Sequence, residues 1–186
     1  MSLLGAGLLI FIAVHLVPAL SPGTRHSLVA RLGTAGYRGL FSLAVLAGVA
    51  LIVVGWRGTQ PAYLFNPPAA YRPLGLALVA VAFVLFVAAN RASVIRRWVR
   101  HPQLTGAALW ALAHLLFNGD SRSMLLFSSL GIWALVEIIA LNHRDAPPAP
   151  TDAPGVMTEL ATLAIAALVF AAVAWLHPYF TGMAVW

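Results

Sequence analysis

Two histidines lie inside stretches of this chain that are apolar enough to cross a lipid bilayer. His15 stands in Ile10-Phe11-Ile12-Ala13-Val14-His15-Leu16, and His114 in Leu112-Ala113-His114-Leu115-Leu116-Phe117. An ionisable group in hydrocarbon is costly, so such a side chain turns to a protein interior, a water cavity or a bound cofactor. Imidazole is the commonest metal-ligating side chain and a common axial ligand of haem. Each position has a plainer reading as well. His114 can simply hydrogen-bond to a neighbouring helix, and His15 can be a helix-end residue reaching for headgroups. Pro18 follows His15 by three residues and deprives an upstream carbonyl of its helical partner. A carbonyl beside His15 would fix the ring tautomer, as outer hydrogen-bond partners do for metal-bound histidine.

Helical spacing puts Gln103, Ala107, Trp110, His114 and Phe117 on one stripe. That stripe carries most of its helix's hydrogen-bonding capacity, so it is expected to face the bundle. Trp110, with Ala107 and Ala111 and with Trp133 as a further candidate, could line an apolar slot. His101 opens the same run in Arg100-His101-Pro102-Gln103, where Pro102 suits the first helical position. Asn118 closes it in Asn118-Gly119-Asp120-Ser121, a turn signal. Glu137 is the carboxylate set well inside an apolar run, and it shares a face with Ser129 and Trp133. A structural ion pair with Arg96, Arg97 or Arg100 is one reading of it, a proton relay the other. His101, Gln103, Asn118 and Glu137 together are a candidate polar network. His177, before Pro178 at the end of the last apolar run, reads as a surface residue, as do His26 and His143 in loops.

Two buried imidazoles suit some partners better than others. Zinc normally takes three or four protein ligands, and no third ligand with suitable spacing is apparent. Haem needs one or two axial imidazoles and an apolar slot. The chain has no cysteine, which excludes disulfides, thiolate metal sites and iron–sulfur clusters, along with haem attachment through C-x-x-C-H.

The elements that must position these residues are membrane helices. Of 186 residues 61% are hydrophobic and 9% charged, against about 25% charged in a soluble domain. Mean hydropathy is +0.90. Residues 1–186 thus read as a single all-α, polytopic transmembrane bundle of about six helices. The apolar runs are Leu3–Leu20, Leu40–Trp56, Leu74–Asn90, Gln103–Phe117, Met124–Leu141 and Leu160–His177. The fourth is short, and with the fifth it reads as a tight helical hairpin or one re-entrant unit. The first run has no positive flank and no A-x-A-like site, and is expected to be retained as a helix rather than cleaved. A proline-rich connector spans about 146–155. All eleven basic residues are arginine, and the pI is about 11. They fall in short segments between apolar runs, which fits a membrane surface and argues against nucleic acid. Arg25, Arg31, Arg38, Arg91, Arg96, Arg97, Arg100 and Arg144 lie on one side of the alternating spans, and Arg57, Arg72 and Arg122 on the other. That bias puts both termini outside. Ser93–Arg100 and the segment around Leu28, Val29 and Leu32 are amphipathic. Each would lie in the headgroup plane or extend a neighbouring helix.

The run from Arg100 to Asp120, with Arg100-His101-Pro102-Gln103, Gly106, Trp110, Ala113-His114 and Gly119, resembles the R-H-P-Q-x-x-G…W-x-x-A-H-x-x-x-x-G signature of the NnrU family. His15, Leu28-Val29-Ala30-Arg31-Leu32-Gly33 and Tyr37-Arg38-Gly39-Leu40-Phe41-Ser42-Leu43 also resemble it. The resemblance spans essentially the whole chain. It implies a bacterial inner-membrane protein associated with nitrite and nitric oxide metabolism in denitrification. The family is similar to the plant zeta-carotene isomerase, which uses haem b with histidine ligands. His15 and His114 match those ligands, so the resemblance implies a haem b held by both, with Trp110 lining it. It leaves three roles open: a haem protein of nitrogen-oxide metabolism, a haem-dependent cis–trans isomerase of a polyene lipid, and a non-catalytic accessory of a respiratory nitrite or nitric oxide reductase. His15 is followed by Leu16-Val17-Pro18 where the plant pattern is H-S-G, which bears on the substrate more than on the fold.

The spacing sets one condition on that pair. His15 stands roughly 7 Å from the arginine-rich end of its helix and His114 roughly 17 Å from the same end of its own, at about 1.5 Å per residue. Axial imidazoles must meet one iron from opposite sides, so helix tilt and the Pro18 disruption would have to close the gap.

Overall fold

The computed structural model describes residues 1–146 and 154–183. Of the expected connector at 146–155, residues 147–153 lie outside the described residues. Among the described residues seven α-helices form: α1 (Ser2–Leu20), α2 (Pro22–Gly58), α3 (Arg72–Ala89), α4 (Ile95–Trp98), α5 (Pro102–Phe117), α6 (Ser121–Arg144) and α7 (Val156–Thr181). α1, α2, α6, α7 and the segment Ala69–Ala89 are long and apolar enough to cross a membrane. α5, at 16 residues, is shorter. The chain is an all-α polytopic bundle, and each apolar run lies within a helix to within a residue or two.

Local chemistry explains the boundaries. Pro22, Pro102 and a proline near the start of α3 sit in first turns, where the missing N–H costs nothing. Gly33 breaks α2 with φ 71°, a region that side chains with a Cβ avoid. The segment around Leu28, Val29 and Leu32 is therefore a helix set off from the membrane-crossing part. The other amphipathic stretch forms only the short α4, with Trp98 88% exposed. α6 is capped by Asp120, whose carboxylate accepts from the N–H groups of Arg122 and Ser123, each at 3.0 Å.

α6 lies between α1 and α5. α2 packs on α1, α3 on α5, and α7 on α3. Lipid offers apolar surface as readily as a neighbouring helix does, so close packing rests on small residues. A Cβ on Gly55 would run into the Leu4 backbone, and one on Gly48 would press on the Phe11 backbone. One core joins Leu4, Leu8, Trp56, Ala111, Leu126 and Phe127, and a second joins Val79, Phe83 and Ala113.

Each end of the bundle is tied. At the arginine-rich end, His101 Nε2 meets Asn142 Oδ1 at 3.1 Å, joining the start of α5 to the end of α6. Arg144 donates to the Pro18 carbonyl at 2.9 Å. The Glu159 carboxylate accepts from Ser93 Oγ at 3.0 Å and Val94 N–H at 2.7 Å, docking α7 on the segment after α3. At the opposite end, the Gly119 carbonyl accepts from Leu64 and Phe65. α5 therefore runs beside α6 from one end to the other, as a hairpin rather than a re-entrant unit.

Candidate functional site

His15 and His114 are fixed by the same local device. His15 Nδ1 lies 2.7 Å from the Phe11 carbonyl, and His114 Nδ1 lies 2.8 Å from the Trp110 carbonyl. A carbonyl only accepts, so each Nδ1 carries the proton and donates. That leaves each Nε2 with its lone pair, the form in which imidazole ligates metals. The carbonyl serving His15 is its own i−4 partner. The one that Pro18 strips of its helical hydrogen bond belongs to Val14, so the expected role of Pro18 in fixing the ring gives way to the ordinary reach of a helical side chain back by one turn.

The two rings stand in different aromatic clusters. His15 is enclosed by Phe11 at 4.2 Å, Trp133 at 5.1 Å and Phe41 at 5.4 Å between ring centroids. His114 stacks on Phe127 at 4.5 Å and lies 4.6 Å from Trp110. Trp133 and Phe127 are six residues apart on α6, roughly 9 Å of helical rise. Two imidazoles on opposite faces of one metal, each bonded at about 2 Å, have centroids on the order of 6–6.5 Å apart. Among the described residues His15 and His114 make no ring contact with each other and share no aromatic neighbour. Of the expected lining residues, Trp133 meets His15 and Trp110 meets His114.

The candidate polar network is also divided. His101 is bound to Asn142 at the arginine-rich end, and Gln103 is exposed near it. Asn118 lies at the other end of α5, with Nδ2 donating to the His114 carbonyl at 2.9 Å. Glu137 is one turn past Trp133, and the Trp133 N–H faces its carboxylate without closing a hydrogen bond. Among the described residues no arginine forms the expected ion pair with Glu137. Arg100, an expected partner, donates to the carbonyls of Asp145 and Ala146 instead.

What His114 does meet is His177. Their ring centroids are 6.5 Å apart, with the planes inclined by 30°. His177 Nδ1 lies 3.0 Å from the Met183 carbonyl, so it too donates from Nδ1 and keeps Nε2 free to ligate. Beside this pair, Arg122 Cζ lies 4.0 Å over the Trp56 ring. Its Nη1 donates to the Trp56 carbonyl at 2.9 Å and its Nη2 lies 3.9 Å from Met183 Sδ. Its Nε is buried without a hydrogen-bond partner, and it makes no ion pair among the described residues. The spacing of α5 and α7 could not reveal this grouping, but depth could have pointed to it. Both histidines fall near the same ends of runs that cross in the same direction.

The haem that the resemblance implies can be tested against these residues. A fixed imidazole with a free Nε2, aromatic walls and a cation for a haem carboxylate all fit at His114. His15 offers the imidazole and the walls. Among the described residues, no three of His, Cys, Asp and Glu converge as a larger metal site would need.

No curated protein and no solved structure matches the chain. A family match, described as NnrU protein, covers residues 3–185. The membrane bundle, the Arg100–Asp120 signature and this near-complete match place the chain in the NnrU family.

Proposed function

We propose that this chain is a haem b protein of the bacterial inner membrane, with both termini periplasmic, acting in nitrite and nitric oxide metabolism. The observation that supports it most is the state of His114. Its proton is held on Nδ1 by the Trp110 carbonyl, and its Nε2 is left for iron. When bound, haem would supply one-electron chemistry or a place for a small diatomic ligand. The protein's own residues have simpler tasks. The Trp110 carbonyl holds the imidazole tautomer and its direction. Trp110 and Phe127 wall the ring against water and lipid. Asn118, bonded to the His114 carbonyl, secures the last turn of α5. The nitrogen-oxide setting, with a respiratory nitrite or nitric oxide reductase as partner, rests on family membership.

The test is an absorption spectrum of the detergent-purified protein from haem-replete cells, before and after dithionite. A Soret band is expected in the wild type and is lost in His114→Ala. A colourless wild-type preparation overturns the haem reading. Unchanged nitrite and nitric oxide consumption in a deletion strain overturns the setting.

A further inference from the structure

We infer that His177 is the second axial imidazole of the iron site formed by His114, and that His15 lies outside that site. The inference rests on the haem reading above and assigns its residues. Two imidazoles bonded to one iron from opposite faces need centroids on the order of 6–6.5 Å apart, given metal–nitrogen bonds of about 2 Å. His114 and His177 stand at 6.5 Å. Both rings donate from Nδ1 to a backbone carbonyl, Trp110 for one and Met183 for the other. Both therefore present the nitrogen that iron takes. Thr181 Oγ1 also lies near that same Nδ1, at 3.2 Å. His15 meets three aromatic rings and no second imidazole.

A separate observation also points to a ligand. Arg122 brings a positive charge to the same end of the bundle, with a buried Nε that lacks a hydrogen-bond partner and no carboxylate paired to it among the described residues. The guanidinium already donates to the Trp56 carbonyl through Nη1, and a haem carboxylate is an anion that the remaining Nε could serve. Met183 connects the two observations. Its carbonyl accepts from His177 while its sulfur lies against Arg122.

The experiment uses the full chain purified in detergent from haem-replete cells, read by absorption and electron paramagnetic resonance of the ferric form. Wild type is expected to be six-coordinate and low-spin. His177→Ala and His177→Gln are expected to keep haem but turn high-spin, and added free imidazole restores the low-spin spectrum. His15→Ala is expected to stay low-spin. Glutamine can still donate to the Met183 carbonyl, so it separates ligation from support of the α7 end. A low-spin His177→Gln overturns the inference and leaves the haem reading standing. So does a His15→Ala that turns high-spin, or haem loss in the His177 variants that imidazole does not reverse. A colourless wild type overturns both readings.

Discussion

The His15 cluster and the His114–His177 cluster begin from the same device and end differently. In each, a helical histidine reaches back and gives its Nδ1 proton to a carbonyl. Around His15 its own helix supplies Phe11, and the neighbouring α2 and α6 supply Phe41 and Trp133. Around His114 the neighbouring helices supply a second imidazole from α7 and the Arg122 cation from α6. Fixing a tautomer is thus a local property of one helix. A site requires the chemistry that other helices bring to the same depth. The His15 ring is packed as an apolar bundle packs any flat side chain, whereas the opposite end collects charge and lone pairs that packing does not need.

Arg122 is where that contrast is largest. Its guanidinium covers Trp56 and donates to the Trp56 carbonyl. Removing a charged donor from such a setting costs about 1.5–3 kcal/mol, and the cation–π contact adds about 0.5–2. Arg122→Ala should therefore lower the thermal midpoint in detergent by several degrees and weaken haem retention, with the His15 cluster unchanged. An Arg122→Ala protein as stable as wild type, with full haem content, would remove the cation from the argument.

Gly48 attacks the other region. A Cβ there meets the Phe11 backbone at 3.2–3.4 Å, and Phe11 supplies both the carbonyl and one ring of the His15 cluster. Overpacking of this kind costs about 1–3 kcal/mol. Gly48→Leu should destabilise the protein by about 2 kcal/mol and raise the reactivity of His15 toward a histidine-modifying reagent. His114 and His177 should react as in the wild type. If all three respond together, the two clusters are one cooperative unit and the contrast between them fails.

Those residues also show what was legible beforehand. The helices were readable because hydropathy runs, Pro22 and Pro102 at first turns and the Asn118–Ser121 turn are all local signals. Trp110 beside His114 followed from a four-residue spacing on one helix. His177 and Arg122 did not follow, because their roles depend on how α7 and α6 sit against α5, and helical spacing carries no information about that. The depth mismatch between His15 and His114 was visible in residue counts. His177 and His114 fall toward the same ends of runs that cross in the same direction. Glu159 was similarly hidden. Its partners, Ser93 and the Val94 N–H, lie 65 or more residues away in a segment without regular periodicity.

The smallest effect is expected at Asp145, at the arginine-rich end and far from the histidine pair. Arg144 Nε lies 2.7 Å from its carboxylate and holds the Asp145 carboxyl below the usual carboxylate range. A depressed carboxyl adds stability above its unfolded pKa, about 3.9 for aspartate. That stability is lost as the pH falls through the lower folded value. The pair is exposed, so screening by water and salt keeps its effect small. Asp145→Asn should lower the thermal midpoint slightly at pH 7, less so in high salt, and not at all once the pH is below the folded value. Arg144 also donates to the Pro18 carbonyl near the His15 end of α1, so any change beyond stability should appear around His15. A ferric haem spectrum that shifts in Asp145→Asn would mean that this end communicates with the proposed haem site, and the separation of the two regions would then be wrong.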